Sequence, residues 1–378
     1  MSVVDDAEAK GDLVLRFLAS IGKPAEAQAY LELFRAERPE SFAIIAVGDS
    51  NLEPAADALV TDFRFLSELG LEPVVVFGLV SPERGRGQAE AIAARLLPAV
   101  RCAVVDADGA AEACRLGVIP LVPGFSGART VDARFERLAQ LAASLGSRKL
   151  VFIGRRSGLQ PKGKPALSLV DLTTEYDALT GAGVLPARQA ELLRQVRRMI
   201  DAVPHRMTVS VTSPLDLLRE LFTVKGAGTL IRRGSLVHRH PSFADLDRTR
   251  LEELIERAFG RPLSPVFFDR PALSIYVADD YRGAAVMTPT ELGPYLSKFA
   301  VDVAARGEGI GRDLWQALTR DYPAFFWRSR ATNPITPWYV QQCDGMLRTD
   351  PWIIFWRGLS PTDLPAAITW AQSAPVDL

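Results

Sequence analysis

Apolar positions along the chain follow two successive rhythms. In the first, short apolar runs alternate with stretches of helical spacing. FAIIAVGD (Phe42–Asp49) reads as a buried strand ending in a turn, and ADALVTDFRFLSELG as an amphipathic helix stopped by glycine. PVVVFGLV, RCAVVDAD, VIPLVPGF, KLVFIG, MTVSVTS and GTLIRRG read as further strands. GQAEAIAARLLPAV, DARFERLAQLAASLG, ARQAELLRQVRRMIDAV and PLDLLRELFT read as helices. Apolar strands without clean alternation, separated by helices, imply a mainly parallel sheet covered on both faces. Ahead of them, residues 13–36 carry helical spacing interrupted at Gly22-Lys23-Pro24, which gives two short helices.

The rhythm changes after Gly234. Residues 235–250 are polar and read as a linker, so the domains are expected at 1–234 and 235–378. Beyond it come a helix, TRLEELIERAF, and strands ALSIYVAD and GAAVMT, with Asp279-Asp280 in the turn between them. PYLSKFAV leads into a glycine loop, RGEGIGR, and the helix GRDLWQALTRDY. The strand AFFWRSR, the short helix TPWYVQQC and the strand WIIFWRGL follow. The expected class is α/β: a three-layer sandwich followed by a mixed α+β domain.

Composition narrows the function. The chain of 378 residues is 48% hydrophobic with a formal net charge of −1, so no global field draws it to nucleic acid or an anionic membrane. Three widely spaced cysteines and three histidines form no ligand spacing, so no metal site or disulfide framework is expected. MSVVDDAEAKGD is acidic and unlike a signal peptide, and no apolar stretch approaches the roughly 20 residues of a membrane span. A cytoplasmic location is expected. GRG at Gly85–Gly87 reads as a surface turn.

The glycine loop carries the first candidate chemistry. Arg306, Gly307, Glu308, Gly309, Ile310, Gly311 and Arg312 follow a strand and open a helix, whose free N–H groups and dipole attract phosphate. The spacing is not GxGxxG, and no GK[ST] follows, so neither a dinucleotide fingerprint nor a Walker loop is present. Arg328 and Arg330, two apart on a strand, project to one face and suit carboxylate recognition. Lys298 adds a third positive charge from the strand before the loop, and Asn333 an amide.

The loop resembles the coenzyme A loop of GNAT-type acetyltransferases. The wider block, YLSKFAVDVAARGEGIGRDLWQAL, FFWRSRATNPITPWYVQQCDG and WIIFWRGL, resembles the acetyltransferase domain of N-acetylglutamate synthases of the vertebrate type and of bacterial bifunctional synthase/kinases. That resemblance implies acetyl-CoA as cosubstrate, and Lys298, Arg328, Arg330 and Asn333 as the residues that bind L-glutamate. It also implies Tyr339 near the thiol as acid or hydrogen-bond donor, and backbone at Phe299, Ala300 and Val301 along the pantetheine.

The front domain resembles the amino-acid-kinase fold of acetylglutamate kinases, through FLASIGKPAEAQAYLELFR, FAIIAVGD, SLVDLTTEYDALT and TSPLDLLRELFTVKGAGTLIRRG. The departures fall on the phosphate-handling positions. Ala46 stands where the resembled kinases carry a lysine, Gly78 is alone where they carry a glycine run, and RTVDAR replaces a substrate segment. Phosphoryl transfer needs positive charge around the phosphate, so kinase activity is expected to be absent. Glu220, Gly226 and Gly228 stay close to the family pattern and imply a candidate allosteric L-arginine site. The N-terminal helices imply a homo-oligomer, dimer or tetramer. The expected activity is acetyl transfer to the α-amine of L-glutamate, in arginine biosynthesis. The alternatives are a bifunctional synthase/kinase, an acetyltransferase for another amine, and a non-catalytic sensor of arginine or coenzyme A.

Overall fold

The computed structural model describes residues 28, 31–32, 34–36, 38–48, 52–181, 183–223, 226–302, 305 and 308–377. The chain divides into two compact units, Met1–Arg233 and Gly234–Leu378. The first of the two short helices expected at residues 13–36 lies outside the described residues; in the second, residues 31–32 and 34–36 are helical.

The front unit runs β1 (Ile44–Val47), α1 (Leu52–Glu68), β2 (Val74–Val76), α2 (Pro82–Leu96), β3 (Cys102–Val104), α3 (Ala110–Arg115), β4 (Ile119–Val122), α4 (Val131–Leu145), β5 (Lys149–Ile153) and β6 (Leu169–Asp171). It continues with α5 (Tyr176–Thr180), α6 (Ala187–Ala202), β7 (Thr208–Thr212), α7 (Leu217–Phe222) and β8 (Thr229–Arg232). The sheet order is β3-β4-β2-β1-β5-β7-β8-β6, parallel except between β7 and β8. Ile44, Ala46, Val74, Val76 and Leu150 pack with α4 and α6 on one face. Their neighbours Ile45, Val47, Val75 and Val151 pack with α1 and α2 on the other. Helices on both sides are why these strands lack alternation.

The second unit runs β9 (Val237–His240), α8 (Arg248–Phe259), β10 (Ser274–Ala278), β11 (Gly283–Thr290), β12 (Gly293–Val301), α9 (Ile310–Asp321) and β13 (Phe325–Arg330). It ends with α10 (Thr336–Gln342), β14 (Gly345–Thr349), β15 (Trp352–Arg357) and α11 (Leu364–Ser373). Its seven strands are ordered β14-β15-β13-β12-β11-β10-β9. Every neighbouring pair is antiparallel except β12 and β13. Residues alternate between faces: Ile275, Val277, Val286 and Ala300 meet α8, and Phe326 and Ile354 meet α11. Tyr276, Phe325, Trp327 and Phe355 meet α9 and α10 on the opposite side. Each of these large side chains, fully buried, contributes about 2 kcal/mol of apolar transfer.

Several expectations are corrected. The linker is in part a strand: Val237–His240 pairs with β10, His238 opposite Val277 and His240 opposite Ile275. It is the edge strand of its sheet, and Val-His-Arg-His is half exposed, so its composition is polar. GRG at Gly85–Gly87 lies inside α2, where a Cβ on Gly85 would stand 2.1 Å from the Pro123 carbonyl. The glycine there permits a close helix–loop approach and is no surface turn. The strand beginning at Pro73 ends at Val76, because Gly78 turns the chain at φ +67°. Short α3, β6 and β14, and all of α11, were not anticipated.

Candidate active site

Two structural details set the site in the second unit. The β11–β12 register slips at Val286/Met287, with Leu296 opposite Met287 and Lys298 opposite Val286. The extra residue, Ser297, turns Lys298 onto the α8 face and leaves Phe299 facing α9. Bulges re-aim side chains in this way. Second, the parallel contact of β12 with β13 is bridged at Tyr295 and Phe326, near the start of both strands. Past that bridge come Lys298–Val301 on one strand and Arg328–Arg330 on the other.

The glycine loop opens α9 as the sequence implies. Gly309, at φ +82°, is its N-cap and accepts from Arg312 N–H and Asp313 N–H. Ile310 is buried, and Gly311 lies in ordinary contact range of Phe299 and Val301. Close packing of the helix also needs Gly283, where a Cβ would meet Ile310 at 2.8 Å and Leu314 at 2.9 Å. Glu308 pairs with Arg282 at 2.6 Å. That pairing neutralises a carboxylate that would otherwise oppose an anion at the helix start. Arg306 and Gly307 lie outside the described residues.

The predicted cations share a face but are not equivalent. Lys298 is 6% exposed, and its Nζ donates to Asp377 Oδ2 at 2.9 Å beneath the Phe267 ring. Burial pushes its pKa down and the Asp377 carboxylate opposes the fall. Asp377 also holds Arg270 at 2.5 Å through its other oxygen. Arg328 donates to the carbonyls of Ala371, Gln372 and Pro375, so it caps the end of α11. Its guanidinium stacks on Trp352. Arg330 lies over the same ring, 4.9 Å from its centroid, with no hydrogen-bond partner among the described residues. Read from the chain alone the three cations share one role; of the three, only the Arg330 side chain has no hydrogen-bond partner among the described residues. Asn333 spends its side-chain oxygen on Ile335 N–H, at the start of α10. Arg270 and Asp377 were missed: the first sits in a loop without a motif, and the second in a segment with no sequence signal.

Tyr339 is 5% exposed and packed among Trp327, Trp338, Phe355, Phe299 and Trp315. Burial raises its pKa, which keeps the phenol protonated, and its hydroxyl has no hydrogen-bond partner among the described residues. Trp338 is partly buried and stacks on Phe299.

The front unit disposes of its polar groups differently. Ala46 is 1% exposed within an apolar cluster. The loop after β2 is held by Arg134, whose guanidinium donates to the carbonyls of Leu79, Val80, Ala128 and Arg129. Glu220 accepts from Ala227 N–H at 2.7 Å and Gly228 N–H at 3.0 Å, and a Cβ on Gly226 would collide with its carboxylate. The candidate arginine-site residues are thus bonded to one another, because the buried carboxylate needs those donors. Among the described residues, no group of three or more His, Cys, Asp or Glu could hold a metal ion. No described helix is long and apolar enough to cross a membrane.

A mixed sheet with a glycine-started helix after a locally bridged parallel strand, following an amino-acid-kinase-like sheet, is the architecture of an N-acetyltransferase joined to a kinase-like unit. Residues 238–369 match the family described as NAT, N-acetyltransferase, of N-acetylglutamate synthase. An acetylglutamate kinase of Xylella fastidiosa is 31% identical over 88% of this chain and 94% of its own length. The mitochondrial N-acetylglutamate synthase of Homo sapiens is 30% identical over 91% of this chain and 74% of its own. The N-acetylglutamate synthase of Neisseria gonorrhoeae, solved with coenzyme A and L-arginine, has the same fold. It superposes with a TM-score of 0.53 at 16% identity, over 89% of this chain and 99% of its own. The chain belongs to the N-acetylglutamate synthase/kinase family.

Proposed function

We propose that the protein transfers acetyl from acetyl-CoA to the α-amine of L-glutamate, and that its front unit has no kinase activity. The observation that carries this is Arg330, a guanidinium unpaired among the described residues, on the strand next to β12, which leads into the glycine-started helix. The helix start at Gly309 takes the pyrophosphate, and backbone at Phe299–Val301 takes the pantetheine and acyl carbonyl. Arg330 binds a substrate carboxylate, with Arg328 and Lys298 supplying field from the same face.

The amine attacks the thioester carbonyl as a neutral nucleophile. The new C–N bond forms, the C–S bond breaks, the nitrogen gives up a proton to solvent, and the leaving thiolate accepts a hydrogen bond from Tyr339 and takes its proton from solvent. A phenol held protonated by burial suits that step. The enzyme is proposed to act in the cytoplasm as a homo-oligomer.

Some relatives bear a kinase name, so the front unit decides between the two activities. Ala46 brings no charge to β1, and Arg134 has spent its donors on carbonyls. Thiol release from acetyl-CoA across a panel of amino acids is expected with glutamate and to be far weaker with glutamine. ADP formation that depends on N-acetylglutamate is expected to stay at the level of a no-enzyme control. Turnover of another amine in preference to glutamate, or measurable ADP, would replace this reading.

A further inference from the structure

Arg270, Lys298 and Asp377 form a cluster that the acetyl-transfer chemistry does not use as it stands. Lys298 and Asp377 each keep only 7% of their side-chain surface, so the ammonium and the carboxylate are a buried pair. Arg270 grips the second oxygen of the same carboxylate. Two cations on the two oxygens of one carboxylate describe a recognition site for a carboxylate. A buried ammonium requires an anion, and nothing in the pairing chemistry requires that the anion come from this chain.

The occupant's own attachment is slight. Asp377 lies beyond α11, in irregular chain. Apart from the two cations, its hold among the described residues is its carbonyl on Ser264 N–H at 2.9 Å, with Arg328 on the Pro375 carbonyl two residues earlier. Arg328 is also close enough to depress the Lys298 pKa, so this cluster and the arginine strand are one field. Arg330, two residues on, has no anion. One carboxylate is thus in place beside a cation that lacks one, and glutamate carries two.

We propose that Arg270 and Lys298 are the subsite for one carboxylate of a dicarboxylic amino acid, and that Asp377 fills it as an intramolecular stand-in which the substrate displaces. The inference rests on the acetyltransferase reading and adds Arg270 to the binding residues. An internal competitor lowers apparent affinity by the fraction of time it holds the site. Removing its charge therefore tightens substrate binding, the reverse of what loss of a structural latch would do.

Two measurements on the full chain test this. In the wild type, hydrogen–deuterium exchange at residues 371–377 is expected to rise when the site is saturated with glutarate, a dicarboxylate without an amine. Unchanged or slower exchange there overturns the proposal, with no variant needed. In kinetics, Asp377→Asn is expected to lower KM for glutamate about threefold or more, with KM for acetyl-CoA within about twofold of wild type. In the Asp377→Asn background, Arg270→Gln is expected to raise the glutamate KM about tenfold. A glutamate KM unchanged or raised by Asp377→Asn overturns the stand-in, and one indifferent to Arg270→Gln overturns the subsite. Should the wild type fail to acetylate glutamate, the proposed function falls, and the exchange measurement alone decides this inference.

Discussion

Both units place a glycine turn after a buried strand, yet they treat the charges around it in opposite ways. In the front unit, Gly78 ends β2, and the nearby cation, Arg134, is 3% exposed with carbonyl oxygens on its donors. Glu220 likewise consumes the N–H groups of its own glycine turn. In the second unit, Gly309 starts α9, Arg330 has no anion among the described residues, and Lys298 holds a carboxylate from the irregular chain after α11. A glycine turn gives backbone access, but it binds an anion only where the donors beside it are unspent. The comparison therefore reads function from unsatisfied groups rather than from the turn itself.

The strongest way to break this is Gly309→Asp. At φ +82° the position strains any side chain, and a carboxylate would meet the anion at the helix start. Affinity for acetyl-CoA, by calorimetry, is expected to fall about 100-fold or more while circular dichroism stays native. Unchanged affinity would make the second unit's turn as empty as the first's. Next is Arg330→Gln, which removes a guanidinium with no hydrogen-bond partner among the described residues. kcat/KM for glutamate is expected to fall about 100-fold and the preference over glutamine to shrink, with acetyl-CoA affinity near wild type. Full glutamate turnover in that variant would mean that being unsatisfied did not mark the site.

Much of this contrast was legible in the sequence. The buried strands, the glycine loop and the Arg328–Arg330 spacing all rest on local periodicity, which a linear reading sees. The difference between Arg328 and Arg330 was not legible. It depends on α11 and the chain after it, where the carbonyls of Ala371 and Pro375 come from more than 40 residues downstream. Lys298 was read from its place before the loop, but its facing depends on the bulge at Ser297, which appears only in register with β11. Arg270 is brought in by a loop after α8, and β9 was hidden by being a polar edge strand. The bond between Glu220 and its turn was hidden for a related reason: Glu220 and Gly226–Gly228 were seen to belong together, but not that each would satisfy the other.

The smallest effect expected sharpens the comparison by asking whether every unsatisfied charge marks a site. Asp62, on α1, has no partner among the described residues, and burial alone pushes its carboxyl up to about 7. Its folded pKa stands above its unfolded one, so the folded state holds the extra proton between about pH 4 and pH 7. The stability this gives is complete below the unfolded pKa and is lost as pH rises through the folded value. At pH 8 the wild type therefore bears the whole cost of a half-buried, unpaired carboxylate. Asp62→Asn removes that cost with little change in helix propensity. The side chain keeps contact with solvent, so the gain is expected to be only about 1 kcal/mol at pH 8, fading toward pH 4. Thermal melts at the two pH values check the sign. Glutamate turnover is expected to be unchanged, since Asp62 belongs to the front unit and has no part in the proposed acetyl transfer. A gain in stability with turnover intact would separate a merely tolerated charge from one, like Arg330, that waits for a ligand. A loss of turnover would mean that the front unit, too, keeps an unsatisfied group for use.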